Sequence, residues 1–126
     1  MEAAMLKEHL EFFTPDLSSG WEVPEGYPEG VEQKILAGSL DEKAKKGSRT
    51  RLLRFQPGAF TTVPFEHEYW EEVFQVSGKL TVGGKTFPSL TYACRPPHVP
   101  HGPFSSEEGC LLYEIHYYDS SDNEKS

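Results

Sequence analysis

Two short stretches concentrate the side chains able to do chemistry. The first, Pro64-Phe65-Glu66-His67-Glu68-Tyr69-Trp70-Glu71-Glu72, holds four carboxylates and one imidazole at the entrance to the apolar run 71–77. Read as a strand, that run alternates Glu71, Val73, Gln75 and Ser77 on one face with Glu72, Phe74 and Val76 on the other. One of the paired glutamates therefore points inward, and a buried carboxylate must be ion-paired, protonated or bound to a metal. The second stretch, Arg95-Pro96-Pro97-His98-Val99-Pro100-His101-Gly102, sets two imidazoles on a segment whose prolines exclude an ordinary central strand. Each stretch also has a plainer reading, His67 as a surface ion pair and His98 and His101 as turn residues bonding the backbone.

The elements that must position these groups are short. Apolar runs at 31–37, 50–56, 60–65, 71–77, 79–82, 85–87, 91–95, 98–99 and 110–118 read as strands. Pro57-Gly58, Gly78, Gly83-Gly84, Pro96-Pro97 and Glu108-Gly109 punctuate them as turns. Such a series, with no helical period inside it, predicts an antiparallel sandwich or barrel. The one helix candidate is 2–13, where Met5, Leu6, His9, Leu10 and Phe13 share a face until Pro15. Residues 1–29 then read as an irregular N-terminal arm whose Trp21 and Tyr27 pin it to the domain or to a second subunit. Residues 30–118 form the barrel, and 119–126 a polar, frayed tail. In the run 110–118, the apolar set Leu111, Tyr113, Ile115 and Tyr117 is expected on the packed side. Glu114 and His116 then face solvent, or line the barrel mouth if the register is reversed.

Composition narrows the partners. With 126 residues the chain is expected to form one domain. Twelve Lys and Arg against twenty Asp and Glu leave a formal charge of -8, the opposite of what phosphate neutralisation requires, so no nucleic acid is expected. No apolar run reaches the ~20 residues of a membrane helix and no signal pattern opens the chain, so no membrane partner is expected. Cys94 and Cys110 are too few for a disulfide framework, which points to a reduced, cytoplasmic setting. The local excess of base in 31–56, including GSLDEKAKKGS, reads as a solvated hairpin loop.

Taken together, the runs PG (57–58), FEHEYWEEVFQVSG (65–78) and RPPHVPHGPFSSEEGC (95–110) resemble the two signature motifs of the cupin superfamily. RTRLLRFQPGA (49–59) and the Glu-Glu pair at the head of a strand bring the chain nearest to the ChrR-like cupins. The resemblance spans about 30–118. It implies an all-β double-stranded β-helix, a jelly-roll barrel, with an irregular N-terminal arm. It also implies a ligand set. Counting back from Gly78 places the motif glutamate at Glu71, the second histidine of His-x-His at His67, and the lone histidine of the second motif at His101. The first histidine of the pair falls at Phe65, which cannot ligate, so three of the four usual ligands remain. Glu66 and His98 are the additional candidates, although alternation turns Glu66 away from the face that carries Phe65 and His67.

Two imidazoles and a carboxylate with open positions suit a divalent metal such as Fe, Zn, Mn or Ni. The alternative is a metal-free barrel in which Phe65 fills the space. Phe65, Arg54, Gln75 and Tyr69 are the expected pocket residues, Arg54 and Gln75 as donors to an anionic or carbonyl-bearing small-molecule ligand. Tyr69 and Trp70 serve as pocket wall or dimer contact. The resemblance implies a small cupin acting on a small organic molecule as a dioxygenase, isomerase or lyase. The other reading is a non-catalytic small-ligand sensor or binding module. A homodimer is expected, because the barrel leaves sheet edges and the arm needs a surface. An anti-sigma role is disfavoured, since the first thirty residues hold one His and no Cys for a zinc-bearing sigma-binding domain.

Overall fold

The computed structural model describes residues 7–119, and all of its regular structure is β. Nine strands follow in order: β1 (Val31–Asp41), β2 (Lys46–Phe55), β3 (Ala59–Phe60), β4 (Trp70–Gly78), β5 (Leu80–Val82), β6 (Lys85–Phe87), β7 (Tyr92–Arg95), β8 (Phe104–Ser106) and β9 (Cys110–Tyr117). They form two antiparallel sheets, one ordered β1-β2-β9-β4-β7 and the other β3-β8-β5-β6. Their inner faces enclose Val31, Leu53, Phe55, Ala59, Val73, Leu80, Cys110 and Leu112, with Tyr27, Val82 and Phe104 packed against them. No helix among the described residues is long and apolar enough to cross a membrane.

Register decides what this interior contains. Along the inner face of the larger sheet, Phe55 lies opposite Cys110 and Cys110 opposite Gly78. Leu53 lies opposite Leu112 and Leu112 opposite Gln75. Two residues further, Arg51 lies opposite Glu114 and Glu114 opposite Val73. The next row runs Arg49, His116, Glu71, Arg95 across four strands. The period of two thus carries the interior from an apolar end to an ionic end over four rows. The second of the two expectations for 110–118 is the one observed: Cys110, Leu112, Glu114 and His116 face inward, and His116 is fully buried. Its acid and imidazole are tolerated there because the register sets Arg51 and Glu71 beside them.

A register shift between Gln75 and Ser77 changes the phase of β4. Gln75 stays buried, while Ser77 is exposed rather than sharing its face. Gly78 closes the bulged strand with φ 81° and lies against Gly109 and Cys110, so closely that a Cβ would strike the Gly109 carbonyl.

Three expected elements differ. Residues 7–13 carry no helix, and residues 2–6 of that candidate lie outside the described part. Of the run 60–65 only Phe60 is strand, at the end of β3 (Ala59–Phe60), and Phe65 forms an isolated bridge to His101. The pair 98–99 carries no strand, His98 closing a turn at 97–98 with φ 69°, and the strand of this region is Phe104–Ser106 instead. The basic loop is tighter than expected, since β1 and β2 extend to leave a turn at 42–45. The arm packs on its own domain. Trp21 lies 3.9 Å from the Arg54 guanidinium, and the Tyr27 hydroxyl accepts a bond from Arg51 at 3.3 Å.

Candidate metal centre

Two loops meet at the ionic end of the barrel. Phe65 and His101 exchange backbone hydrogen bonds of 2.7 and 2.9 Å, and the His98 amide donates to the His67 carbonyl at 2.7 Å. This pairing, with side chains alternating along each loop, turns His67 and His101 inward and Glu66 and His98 outward. Glu66 and His98 lie 3.8 Å apart as an exposed pair at the surface, away from the interior.

His67, Glu71 and His101 bring one donor atom each within 4.8 Å of one another. The orientation of each donor has a cause. His67 stacks on Tyr69 with ring centroids 4.6 Å apart and planes 8° from parallel. Its Nε2 is buried and has no hydrogen-bond partner among the described residues. Burial pushes its imidazole down to about 4, with Glu71 opposing and His101 and His116 adding to the fall, so the ring is neutral near pH 7. His101 Nδ1 lies 3.1 Å from the Val99 carbonyl, an acceptor, so Nδ1 carries the proton. That leaves Nε2 facing Glu71 Oε1 at 3.3 Å.

Glu71 is held from both sides. Arg95 Nη1 donates to Oε1 and His116 Nε2 to Oε2, each at 2.9 Å. Arg49 donates to His116 Nδ1 from Nε at 3.1 Å and lies 2.8 Å from it through Nη2. A guanidinium only donates, so Nδ1 must accept and the ring proton sits on Nε2, aimed at Glu71. This assigns a different role to the second cluster of donors, Glu71, Glu114 and His116. With His116 Nε2 protonated and Glu114 gripped by Arg51 through Nε and Nη2, both at 2.8 Å, it is a support rather than a ligand set. Burial raises the Glu114 carboxyl, but Arg51 and His116 outweigh it and hold the group below the usual carboxylate range.

The other sequence candidates are dispersed. Phe65 stands beside the donors, 6.3 Å from the rings of both His67 and His101 and stacked on Tyr27 at 4.6 Å. Tyr69 is a buried wall. Gln75 faces inward, but its amide donates to the Gly78 and Phe87 carbonyls. Arg54 lies outside the barrel, paired with Glu32 at 2.8 Å. Sequence reasoning missed Arg49, Arg51 and Arg95 and left Glu114 and His116 undecided. The signal that finds them is the odd and even placement of charges along 49–55 and 110–117, once the two strands are known to pair.

A groove of about 430 Å³ at the mouth is lined by Tyr27, Arg49, Arg51, Phe65, His67 and Tyr69, among others. Inside, Glu71, Arg95, His101 and Glu114 adjoin the apolar floor of Leu53, Val73, Leu80 and Leu112. Two imidazoles and a carboxylate, one nitrogen buried without a partner, form a donor set that fits a divalent ion.

A family model described as the ChrR cupin-like domain matches residues 21–118. Among solved structures the chain is similar to an RmlC-like cupin from Shewanella frigidimarina NCIMB 400, with TM-score 0.64, 21% identity, and 94% of this chain and 99% of that one covered. It is similar to an acetylacetone dioxygenase from Acinetobacter johnsonii, with TM-score 0.66, 18% identity and coverages of 93% and 80%. It is also similar to a chain of the Rhodobacter sphaeroides complex of SigE with the anti-sigma ChrR, with TM-score 0.59, 19% identity and coverages of 82% and 51%. No curated protein matches it. These structural likenesses carry the fold, an all-β cupin.

Proposed function

The chain belongs to the family of ChrR cupin-like domains, and from that membership and its interior geometry we propose a small metal-dependent cupin. It holds one divalent ion, Fe, Zn, Mn or Ni, on His67, Glu71 and His101 and acts on a small organic molecule inside the barrel. The observation that carries this reading is the buried, unpartnered Nε2 of His67, on a ring with a donor within 4.8 Å of those of Glu71 and His101. When bound, the metal supplies a Lewis acid able to polarise a carbonyl or to receive oxygen.

The chain's own residues do the rest. Tyr69 fixes the plane of His67, Val99 fixes the tautomer of His101, and His116 on Oε2 with Arg95 on Oε1 fixes the Glu71 carboxylate so that Oε1 also lies 3.3 Å from His101 Nε2. The apolar floor excludes water and strengthens each polar contact. Dioxygenase, isomerase and lyase chemistry all suit such a set, and the likeness to an acetylacetone dioxygenase supports the first.

Phe65 favours a second reading, a metal-free cupin that binds a small ligand without turning it over, because its ring stands where the motif expects a ligand. We further infer a cytoplasmic homodimer. Cys94 and Cys110 are both free, and Phe74, Val76, Tyr92 and Tyr113 are exposed on the outer sheet face, where a second copy would cover them.

The test is metal content of protein purified without a histidine tag, followed by titration of chelator-treated protein. Wild type is expected to take up a single divalent ion and Glu71→Gln none; equal uptake by both would contradict the reading.

A further inference from the structure

Three guanidiniums share the inner face of the larger sheet with two carboxylates. Arg49, Arg51 and Arg95 stand against Glu71 and Glu114. The interior therefore carries an excess positive charge within a chain whose formal net charge is -8. Arg51 is buried and Arg49 and Arg95 are half-buried, and charge withdrawn from water favours a partner of the other sign.

The three arginines are not equally committed. Arg51 contacts Glu114 twice, Gln33 at 2.7 Å and the Tyr27 hydroxyl at 3.3 Å. Arg49 is spent on His116 and the Tyr69 hydroxyl. The Arg95 side chain makes one hydrogen bond among the described residues, from Nη1 to Glu71, and its guanidinium carbon lies 5.8 Å from the Phe104 ring. Its Nε and Nη2 donors remain for something else.

Arg95 also stands at a boundary. It lines the polar space with Glu71 and His101, and it lines an adjoining cavity of about 220 Å³ walled by Val73, Leu80, Val82, Phe87 and Leu112. That cavity is smaller than the ~300–1,000 Å³ of sites for drug-sized ligands. A guanidinium at the polar end of a small apolar cavity is the complement of a short amphipathic anion.

We propose that this cavity binds a small monocarboxylate with an apolar body, its carboxylate anchored by Arg95 and its chain laid against Val73, Leu80 and Leu112. The proposal rests on reading the interior as a ligand site and deepens it by naming the ligand class; it does not depend on the metal. Arg95 is then the residue that selects anion over neutral analogue.

The test is calorimetric titration of metal-stripped protein with hexanoate and with hexanamide, which share a body and differ in charge. Because no metal enters the titration, failure of the metal reading leaves its outcome untouched. Wild type is expected to bind hexanoate about tenfold or more tightly than hexanamide, the size of a charge-assisted hydrogen bond. Arg95→Met should abolish that preference and Arg95→Lys, which keeps the charge, should retain part of it, a split that general damage to the fold would not produce. Ala93→Leu, which narrows the cavity and leaves Arg95 in place, should weaken both ligands. No hexanoate binding by wild type, equal affinity for the two ligands, or an undiminished preference in Arg95→Met would each overturn the proposal.

Discussion

Arg51→Met removes the guanidinium that neutralises Glu114 inside the barrel. Both side chains are about 4% exposed, and the change deletes two contacts of 2.8 Å to Glu114 together with bonds to Gln33 and Tyr27. What remains beside Glu114 is His116 Nε2 at 3.4 Å, already donating to Glu71. Breaking a buried pair from one side costs about 3–5 kcal/mol, because the surviving charge stays buried. Against a total stability of about 5–15 kcal/mol, the variant folds with a melting temperature lower by roughly 10–20 °C. Replacing both partners, Arg51→Met with Glu114→Leu, removes the stranded charge and is expected within about 2 kcal/mol of wild type.

Acid sensitivity gives an independent check. Glu114 is held below its ordinary 4.5, so the pair's stabilisation is complete above that value and is lost as pH falls beneath it. That loss should be smaller in Arg51→Met. Urea unfolding followed by circular dichroism measures each quantity. A cost for Arg51→Met below about 1 kcal/mol, or a double variant no better than the single one, would refute the reasoning.

Three further outcomes are expected. Burial holds His67 near 4 rather than its ordinary 6.5, so in that window the unfolded chain binds a proton that the folded chain refuses. Stability from this source is whole above 6.5 and falls as pH drops to about 4; His67→Gln should lose that part of the decline, and parallel urea midpoints for the two proteins between about pH 7.5 and about pH 4.5 would contradict it. Arg49→Leu should release the His116 proton from Nε2 to a mixture of both nitrogens, read by long-range proton–nitrogen spectra of the ring; an unchanged Nε2 tautomer would show that Arg49 does not set it. Gly78→Ala should cost about 2 kcal/mol or more, because φ is 81° and the methyl would meet the Gly109 carbonyl and Cys110; a cost below about 0.5 kcal/mol would contradict this.

The legible part of this molecule was what local pattern governs. Alternation through 71–77 set Glu71, Val73 and Gln75 on one face, and it holds as far as Gln75. It fails at Ser77, because the bulge inserts a residue there and a bulge leaves no mark in hydrophobic periodicity. The face of 110–117 was misjudged for a related reason. By apolar count Leu111, Tyr113 and Ile115 belong inside, yet Glu114 and His116 occupy the interior because cross-strand partners compensate them. Such compensation depends on which strands are neighbours, which no single segment encodes. Phe104–Ser106 escaped notice because two serines and the following glutamates read as loop. The motif spacing did name His67, Glu71 and His101, whose donors the fold sets within 4.8 Å. Arg95 was visible only as the start of a proline-rich turn until β7 was paired with β4.

The account stands most directly on divalent-metal affinity measured by calorimetry for three proteins: wild type, His67→Ala and Phe65→His. With His67 removed, two donors are a poor chelate and binding is expected to vanish. With Phe65 replaced, an imidazole enters beside His67 and His101, 6.3 Å from each ring, and affinity is expected to rise above wild type. The order Phe65→His, then wild type, then His67→Ala is the predicted result. Equal affinity in all three would place the metal elsewhere, and no binding even by Phe65→His would contradict a metal centre in this barrel.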